Sequence, residues 1–235
     1  MTEALIALTA VLVFAVARIP LGFAMAIVGT IGFAALRGPI AAVETVGQLI
    51  LDFSMSYTFA VLPMFVLMGA FVHRSALSKD LYEASYAWLG HFRGGLSMAT
   101  VAASAGFGAA CGSSVATAAT MGRVALPSMR RFGYDPGLAA GTIAAGGTLG
   151  ILIPPSMSLV VYGFLTQQDI GRLFIAGIVP ALITVVLYFC VVAIVTRLKP
   201  QAGPPGPRTA WPDRFRKLGK VYGVLLLFVL VLGGI

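Results

Sequence analysis

Long uncharged stretches alternate with short charged segments along this chain, a pattern typical of membrane-spanning helices. Six apolar stretches are complete: Ala4–Ala17, Ile19–Leu36, Tyr57–Val72, Gly94–Gly122, Pro136–Gln168 and Leu173–Thr196. A seventh begins near Val221 and runs to Ile235. The pattern predicts an all-α polytopic membrane protein.

The first two apolar stretches are separated by Arg18-Ile19-Pro20. Proline lacks an amide donor and is tolerated at the start of a helix. We therefore predict a pair of helices, with one long broken helix as the alternative. Further on, His73–Arg93 mixes charges with leucine and aromatic residues. This mixture favours an amphipathic helix in the membrane interface over an ordinary solvated loop.

The stretch Gly94–Gly122 has 29 residues without a charge, and Cys111-Gly112-Ser113-Ser114 lies near its middle. One straight helix of that length would be roughly 43 Å long, against a hydrocarbon core of about 30 Å. Of the 26 residues from Ser97 to Gly122, 21 are Gly, Ala, Ser, Thr or Cys, which allows close packing of two arms. We predict a re-entrant hairpin that turns at Gly112, Ser113 and Ser114.

The stretch Pro136–Gln168 is also too long for one straight crossing, with 33 uncharged residues. Pro154 and Pro155 remove two amide donors, and a proline disfavours helical geometry at the preceding residue. A break between Gly150 and Ser156 is therefore predicted. Such a break exposes carbonyls that bind a desolvated cation in secondary transporters, although a purely structural kink is the alternative.

Composition excludes a soluble globular protein, since 59% of residues are hydrophobic, 10% are charged and the mean hydropathy is +0.96. The chain has 16 Lys+Arg against 8 Asp+Glu, and the basic residues lie in short loops beside the apolar stretches. This distribution argues against nucleic-acid binding and indicates which loops face the cytoplasm. The basic segment Lys199–Lys220 is expected on the cytoplasmic side, together with Arg93 and Arg123 at the feet of the hairpin. This places the N-terminus in the periplasm, and its apolar run is not expected to be a signal peptide.

Hydroxyl side chains lie near both predicted breaks, on Ser113, Ser114, Thr117 and Thr148. Neutral oxygens suit a hard cation or a substrate carboxylate, and the apolar stretches contain no Asp or Glu for proton relay. Coupling of transport to Na⁺ is thus favoured over coupling to H⁺. The alternative for each hydroxyl is a bond to the carbonyl one turn earlier, which we expect for Thr120 and Thr142.

Enzymatic motifs are missing from the sequence. His73 and His91 lack a Cys, His or acidic cluster, and the serines of the apolar stretches lack a histidine partner. Cys111 and Cys190 both lie in apolar stretches, so no disulfide is predicted. We therefore do not expect an enzyme.

Four spaced motifs resemble, in order, the large membrane subunit of tripartite ATP-independent periplasmic (TRAP) transporters. They are Leu62–Gly69, Gly112–Gly122, Pro127 with Arg130–Asp135, and Gly147–Ser156. The resemblance covers nearly the whole chain. It implies an elevator-type, Na⁺-driven symporter subunit in the bacterial inner membrane, which imports an organic acid such as a dicarboxylate or sialic acid. Its implied partners are a small membrane subunit and a periplasmic substrate-binding protein.

Family motif positions also imply the binding residues. The Na⁺ site is expected at Gly112, Ser113, Ser114, Thr148, Gly150 and Ile153, and the substrate site at Thr117, Pro155 and Ser156. The family's subunit is about twice as long and carries a second, inverted copy of hairpin and broken helix, so the chain corresponds to its N-terminal half.

Three segments are expected. Residues 1–93 contain the N-terminal membrane helices and the amphipathic helix, and residues 94–168 form the transport core with its hairpin and broken helix. Residues 169–235 contain a transmembrane helix, the basic cytoplasmic loop and the start of the next helix. A single-component anion permease or antiporter, a channel and a non-transporting scaffold are the alternative functions.

Overall fold

The structure is a computed structural model that describes residues 2–224, 226 and 229, with only the backbone for 57–62. All long regular elements in these residues are α-helices, and one short 3₁₀ helix covers Pro200–Ala202. The fold class predicted from the sequence is confirmed. The helices are α1 (Thr2–Val16), α2 (Leu21–Arg37), α3 (Pro39–Met55), α4 (Tyr57–Arg74), α5 (Leu77–Leu89), α6 (Gly95–Cys111), α7 (Ser114–Arg131), α8 (Pro136–Leu152), α9 (Met157–Thr166), α10 (Ile170–Leu198) and α11 (Trp211–Gly219).

The chain divides into two compact units, residues 1–60 and 61–235. In the first unit α1 packs against α2 and α2 against α3. Arg18 separates α1 from α2, so the predicted helical pair is confirmed. Helix α3 is missing from the predicted stretches because Glu44 and Asp52 interrupt its apolar residues. It begins at Pro39, a favourable first residue for a helix.

The second unit contains the predicted hairpin, formed by α6 and α7. The two arms pack against each other, and the Leu96 amide donates to the Tyr134 hydroxyl at 3.1 Å, so their outer ends lie side by side. The second arm continues past Gly122 to Arg131, so the foot of the hairpin predicted at Arg123 lies within the helix. Buried Met121, Ala125 and Met129 recur every four residues, and this apolar stripe extends the helix.

The predicted break in the next segment is also confirmed, because Ile153–Ser156 separates α8 from α9. Helix α8 starts where the Asp135 carboxylate accepts the Leu138 amide at 2.9 Å, and it packs against both hairpin arms. By length and composition, Pro136–Thr166 and Ile170–Leu198 are able to span a membrane.

Helix α10 exposes large apolar side chains along its length, including Ile175, Val179, Leu182 and Val186. An exposed apolar surface of this kind suits contact with lipid.

Helix α5 confirms the predicted amphipathic helix. Its Leu81 and Tyr82 side chains are buried, and it packs against α6 of the hairpin. The apolar side of α5 therefore covers protein, while its place in the membrane interface stays a prediction. The predicted division at residues 93 and 168 also stays a prediction.

Candidate ion and substrate site

The hairpin tip is a two-residue connection between α6 and α7. Gly112 adopts φ +66°, a left-handed conformation that favours glycine, and Ser113 is extended. The Ser113 hydroxyl accepts the Ala116 amide at 3.4 Å, which caps α7, and the buried Thr117 hydroxyl donates to the Ser113 carbonyl at 2.7 Å. The local sequence thus fixes both the turn and the start of the second arm.

The break between α8 and α9 leaves backbone carbonyls without helical partners. In a continuous helix the carbonyls of Gly150 and Ile151 would accept the amides of residues 154 and 155, which are prolines here. The Ser156 hydroxyl, fully buried, donates to the Ile151 carbonyl instead. The Gly150 carbonyl has no such replacement among the described residues.

The tip of the hairpin lies directly on this break. A β-carbon placed on Gly150 would lie 2.6 Å from Thr117 Oγ1 and 2.7 Å from the Ser113 carbonyl oxygen. A β-carbon on Gly112 would lie 3.3 Å from the Pro155 carbonyl oxygen and 3.5 Å from the Met157 amide nitrogen. The C-terminal ends of α6 and α8 and the N-terminal ends of α7 and α9 therefore meet at one place.

Glycines on α8 make this approach possible along most of the hairpin. A β-carbon on Gly147 would lie 2.7 Å from the Ala118 β-carbon, and one on Gly146 would lie 2.6 Å from the Ser104 hydroxyl. On α6, a β-carbon on Gly108 would lie 2.7 Å from the Gly150 α-carbon. We call this row of contacts the glycine seam, defined by Gly108, Gly146, Gly147 and Gly150.

Most of the residues predicted for the two sites are brought together. Those in mutual contact across the tip and the break are Gly112, Ser113, Thr117, Gly150, Pro155 and Ser156. Ser114 begins α7 and is half-buried, and the Ile153 amide donates to the Leu149 carbonyl at 2.9 Å.

The Thr148 hydroxyl is not brought to the tip. It donates to the Ala145 carbonyl at 2.7 Å and lies 2.9 Å from the Tyr188 hydroxyl on α10.

Sequence reasoning misses a polar contact between α4 and the hairpin. Thr120 was expected to bond one turn back along α7, but its hydroxyl lies 2.9 Å from His73 Nδ1. The Arg123 guanidinium donates to His73 Nε2 at 2.9 Å, and because arginine only donates, His73 Nδ1 carries the proton. This expectation for Thr120 is therefore wrong, since the partner lies 47 residues away in sequence and no local pattern reveals it.

Comparison with known protein families gives a match over nearly the whole chain. Residues 8–235 match the sequence model of the family described as tripartite ATP-independent periplasmic transporter, DctM component. The chain belongs to this family. The DctM family is a transporter family, which confirms that the chain is not an enzyme.

Relatives of this chain carry different substrates in their names. The C4-dicarboxylate TRAP transporter large permease protein DctM of Pseudomonas aeruginosa is 42% identical over 77% of this chain and 42% of its own length. The ectoine TRAP transporter large permease protein TeaC of Halomonas elongata is 31% identical over 92% of this chain and 50% of its own length.

A sialic acid TRAP transporter permease protein, SiaT of Haemophilus influenzae, is 28% identical over 77% of this chain and 29% of its own length. This DctM-family chain thus spans about half, or less, of the length of the relatives it matches.

Proposed function

We propose that this chain supplies one half of the transport core of a Na⁺-coupled symporter subunit that imports an organic acid. The observation that carries the proposal is the meeting of the hairpin tip with the break between α8 and α9. Helix C-terminal ends present carbonyls with partial negative charge, whereas N-terminal ends present amides with partial positive charge. The same small volume therefore offers complementary binding groups to a cation and to an anion.

The proposed Na⁺ ligands belong to the C-terminal ends of α6 and α8 and to the hairpin tip. They are oxygens of Gly112, Ser113, Ser114, Gly150 and Ile153. The Gly150 carbonyl is the strongest of these candidates, because Pro154 removes its helical donor and the tip approaches it closely. The Thr148 hydroxyl is left out of this set, since Tyr188 and the Ala145 carbonyl engage it.

The proposed substrate groups lie at the N-terminal ends of α7 and α9, namely Thr117, Pro155 and Ser156. Both ends are preceded by a serine in extended conformation, Ser113 before α7 and Ser156 before α9. Free amides in the first turn of a helix favour a carboxylate. The relatives are named for C4-dicarboxylate, ectoine and sialic acid, all of which carry a carboxyl group.

In the bacterial inner membrane, with the N-terminus periplasmic, such a subunit works with two partners that the family name implies. We propose a periplasmic binding protein that delivers the acid and a small membrane subunit that braces the permease. Both rest on family membership and on the resemblance of the motifs, with residues 8–235 matching the family.

Reconstitution of the full-length protein with both partners tests the proposal. Proteoliposomes are given labelled succinate, ectoine or sialic acid with external Na⁺, or with K⁺ and an inward pH gradient. We expect uptake of one acid, only with Na⁺ and only when the binding protein is added. Undiminished uptake in K⁺ would exclude Na⁺ coupling, and uptake without the binding protein would indicate a single-component permease.

A further inference from the structure

Helix α11, Trp211–Gly219, forms within the basic segment that the sequence pattern presents only as a loop. Trp211, Phe215 and Leu218 recur at positions i, i+4 and i+7, and they are 63%, 57% and 46% exposed. Arg214, Arg216 and Lys217 occupy other positions of the same helix. The helix is therefore short and amphipathic, with an aromatic face that protein only partly covers.

Aromatic contacts attach α11 to the end of α5. The Trp88 ring meets the rings of Trp211 and Phe215 edge to face, with centroids 6.1 Å and 5.7 Å apart. The Arg214 guanidinium lies 5.1 Å from the Trp211 ring centroid, and its Nε donates to the Thr209 carbonyl at 3.0 Å. Ring and backbone contacts thus hold this cation in a defined position beside the aromatic face.

Positive charge beside this face, at Arg214 and one turn further at Lys217, lacks an acidic partner. Asp213 pairs with Arg216 at 3.4 Å, and within the described part of the chain no carboxylate forms an ion pair with Arg214 or Lys217. Burial lowers the pKa of His91, and the nearby positive charges of Arg214 and Arg208 lower it further. The surroundings of His91 are therefore electropositive and favour an anion.

An unused hydrogen-bond donor lies within the same cluster. The Trp88 indole nitrogen is buried from solvent and has no hydrogen-bond acceptor among the described residues. A buried indole N–H usually finds a partner. An acceptor oxygen brought by a ligand would satisfy it.

We propose that α11, together with Trp88 and His91, forms a binding surface for acidic phospholipid headgroups. The aromatic face inserts between lipids, and Arg214 and Lys217 pair with their phosphates. The segment lies between α10 and the apolar stretch that starts near Val221, so it is close to the membrane surface. A soluble anion would match the charge but would leave Trp211 and Phe215 in water, whereas a lipid satisfies both.

Tryptophan fluorescence provides a direct test, because Trp211 is exposed on the aromatic face of α11. The full-length protein in detergent micelles is titrated with brominated phosphatidylglycerol or brominated phosphatidylcholine, both of which quench indole at short range. The fluorescence that is lost when Trp211 is replaced by phenylalanine is the contribution of α11. We expect half-maximal quenching of that signal at an about fivefold lower mole fraction of the acidic lipid.

Charge variants separate lipid recognition from simple proximity. Replacing Arg214 and Lys217 together by glutamine should abolish the preference for the acidic lipid. Arg216→Gln is the matched control, since Arg216 is two positions from Arg214 around the helix and pairs with Asp213; this variant should keep the preference. Thermal unfolding of each variant checks that the protein remains folded.

Three results would overturn the proposal. Equal quenching by the two lipids would show that charge plays no role in binding. Absence of quenching by both lipids would show that α11 does not contact lipid. Loss of the preference in excess inorganic phosphate, at constant ionic strength, would identify a site for a soluble anion instead.

Discussion

Replacing Gly150 by alanine tests whether the hairpin tip and the α8–α9 break form one site. The added β-carbon would lie 2.6 Å from Thr117 Oγ1 and 2.7 Å from the Ser113 carbonyl oxygen, whereas ordinary contacts of a β-carbon begin near 3.4 Å. The tip must therefore move by about 0.7 Å, since the Ser113 carbonyl oxygen belongs to the backbone. Ion ligands need placement within about 0.5 Å, so this shift is large enough to disrupt a Na⁺ site.

Two measurements on the full-length transporter follow from these distances. Overpacking at a buried contact costs about 1–3 kcal/mol of the free energy of unfolding, so the melting temperature of Gly150→Ala should fall by several degrees. The Na⁺ concentration for half-maximal uptake should rise about tenfold, equivalent to about 1.4 kcal/mol. Gly141→Ala is the matched control on the same helix, because nothing lies within 4 Å of its added β-carbon.

The outcomes distinguish packing from ion binding. If both alanine variants share the same melting temperature and the same Na⁺ dependence, the close approach at Gly150 is refuted. If Gly150→Ala is destabilised while its Na⁺ dependence is unchanged, the packing stands and Gly150 does not take part in the ion site.

Further predictions concern the hairpin and its ends. Ser113→Ala and Ser114→Ala should each raise the Na⁺ concentration for half-maximal uptake, by about tenfold where a ligand is lost, and an unchanged dependence in both and in the double variant would make them packing residues. Tyr134→Phe leaves a buried amide of α6 without its acceptor and should cost about 1–3 kcal/mol in denaturant unfolding; a loss below about 0.5 kcal/mol would contradict this. Single cysteines at Arg93 and Arg131, in a background without native cysteines, should both resist an impermeant thiol reagent added to intact cells. Labelling of only one would mean that the segment between them crosses the membrane.

Both helix breaks could be predicted from the sequence because their causes are local. Gly112 supplies the left-handed residue of the tip, and Ser113 supplies the capping hydroxyl. Pro154 and Pro155 remove two successive amide donors whatever surrounds them. Such effects act within one helical turn, so they are readable without knowledge of tertiary contacts.

The arrangement around those breaks depends on which side of each helix faces which neighbour. Thr148 is adjacent in sequence to Gly147, yet it faces Tyr188 on α10 while Gly147 faces the hairpin. Successive helical residues differ by about 100° in direction, and the uniformly apolar α8 gives no sign of its orientation. The contact between Thr120 and His73 is hidden for the same reason.

Charged residues caused the remaining errors in the helix boundaries. Helix α3 was not predicted because Glu44 and Asp52 interrupt its apolar residues. The end of α7 was predicted at Arg123, but the buried apolar stripe continues to Met129 and the helix continues with it. Charge marks the ends of membrane-embedded segments, but a helix continues wherever its apolar face remains covered.

The glycine seam has a consequence for the entropy of assembly. Glycine and alanine have no side-chain rotamers to lose on burial, whereas a longer side chain loses up to about 2 kcal/mol of conformational freedom. Within a bilayer, association of helices gains little from removing apolar surface from water and depends on close van der Waals contact. The contact between Gly147 and Ala118 therefore gains van der Waals energy without a loss of side-chain entropy. Neither residue has an alternative rotamer that would allow different packing. The hairpin and α8 therefore have one way to fit together.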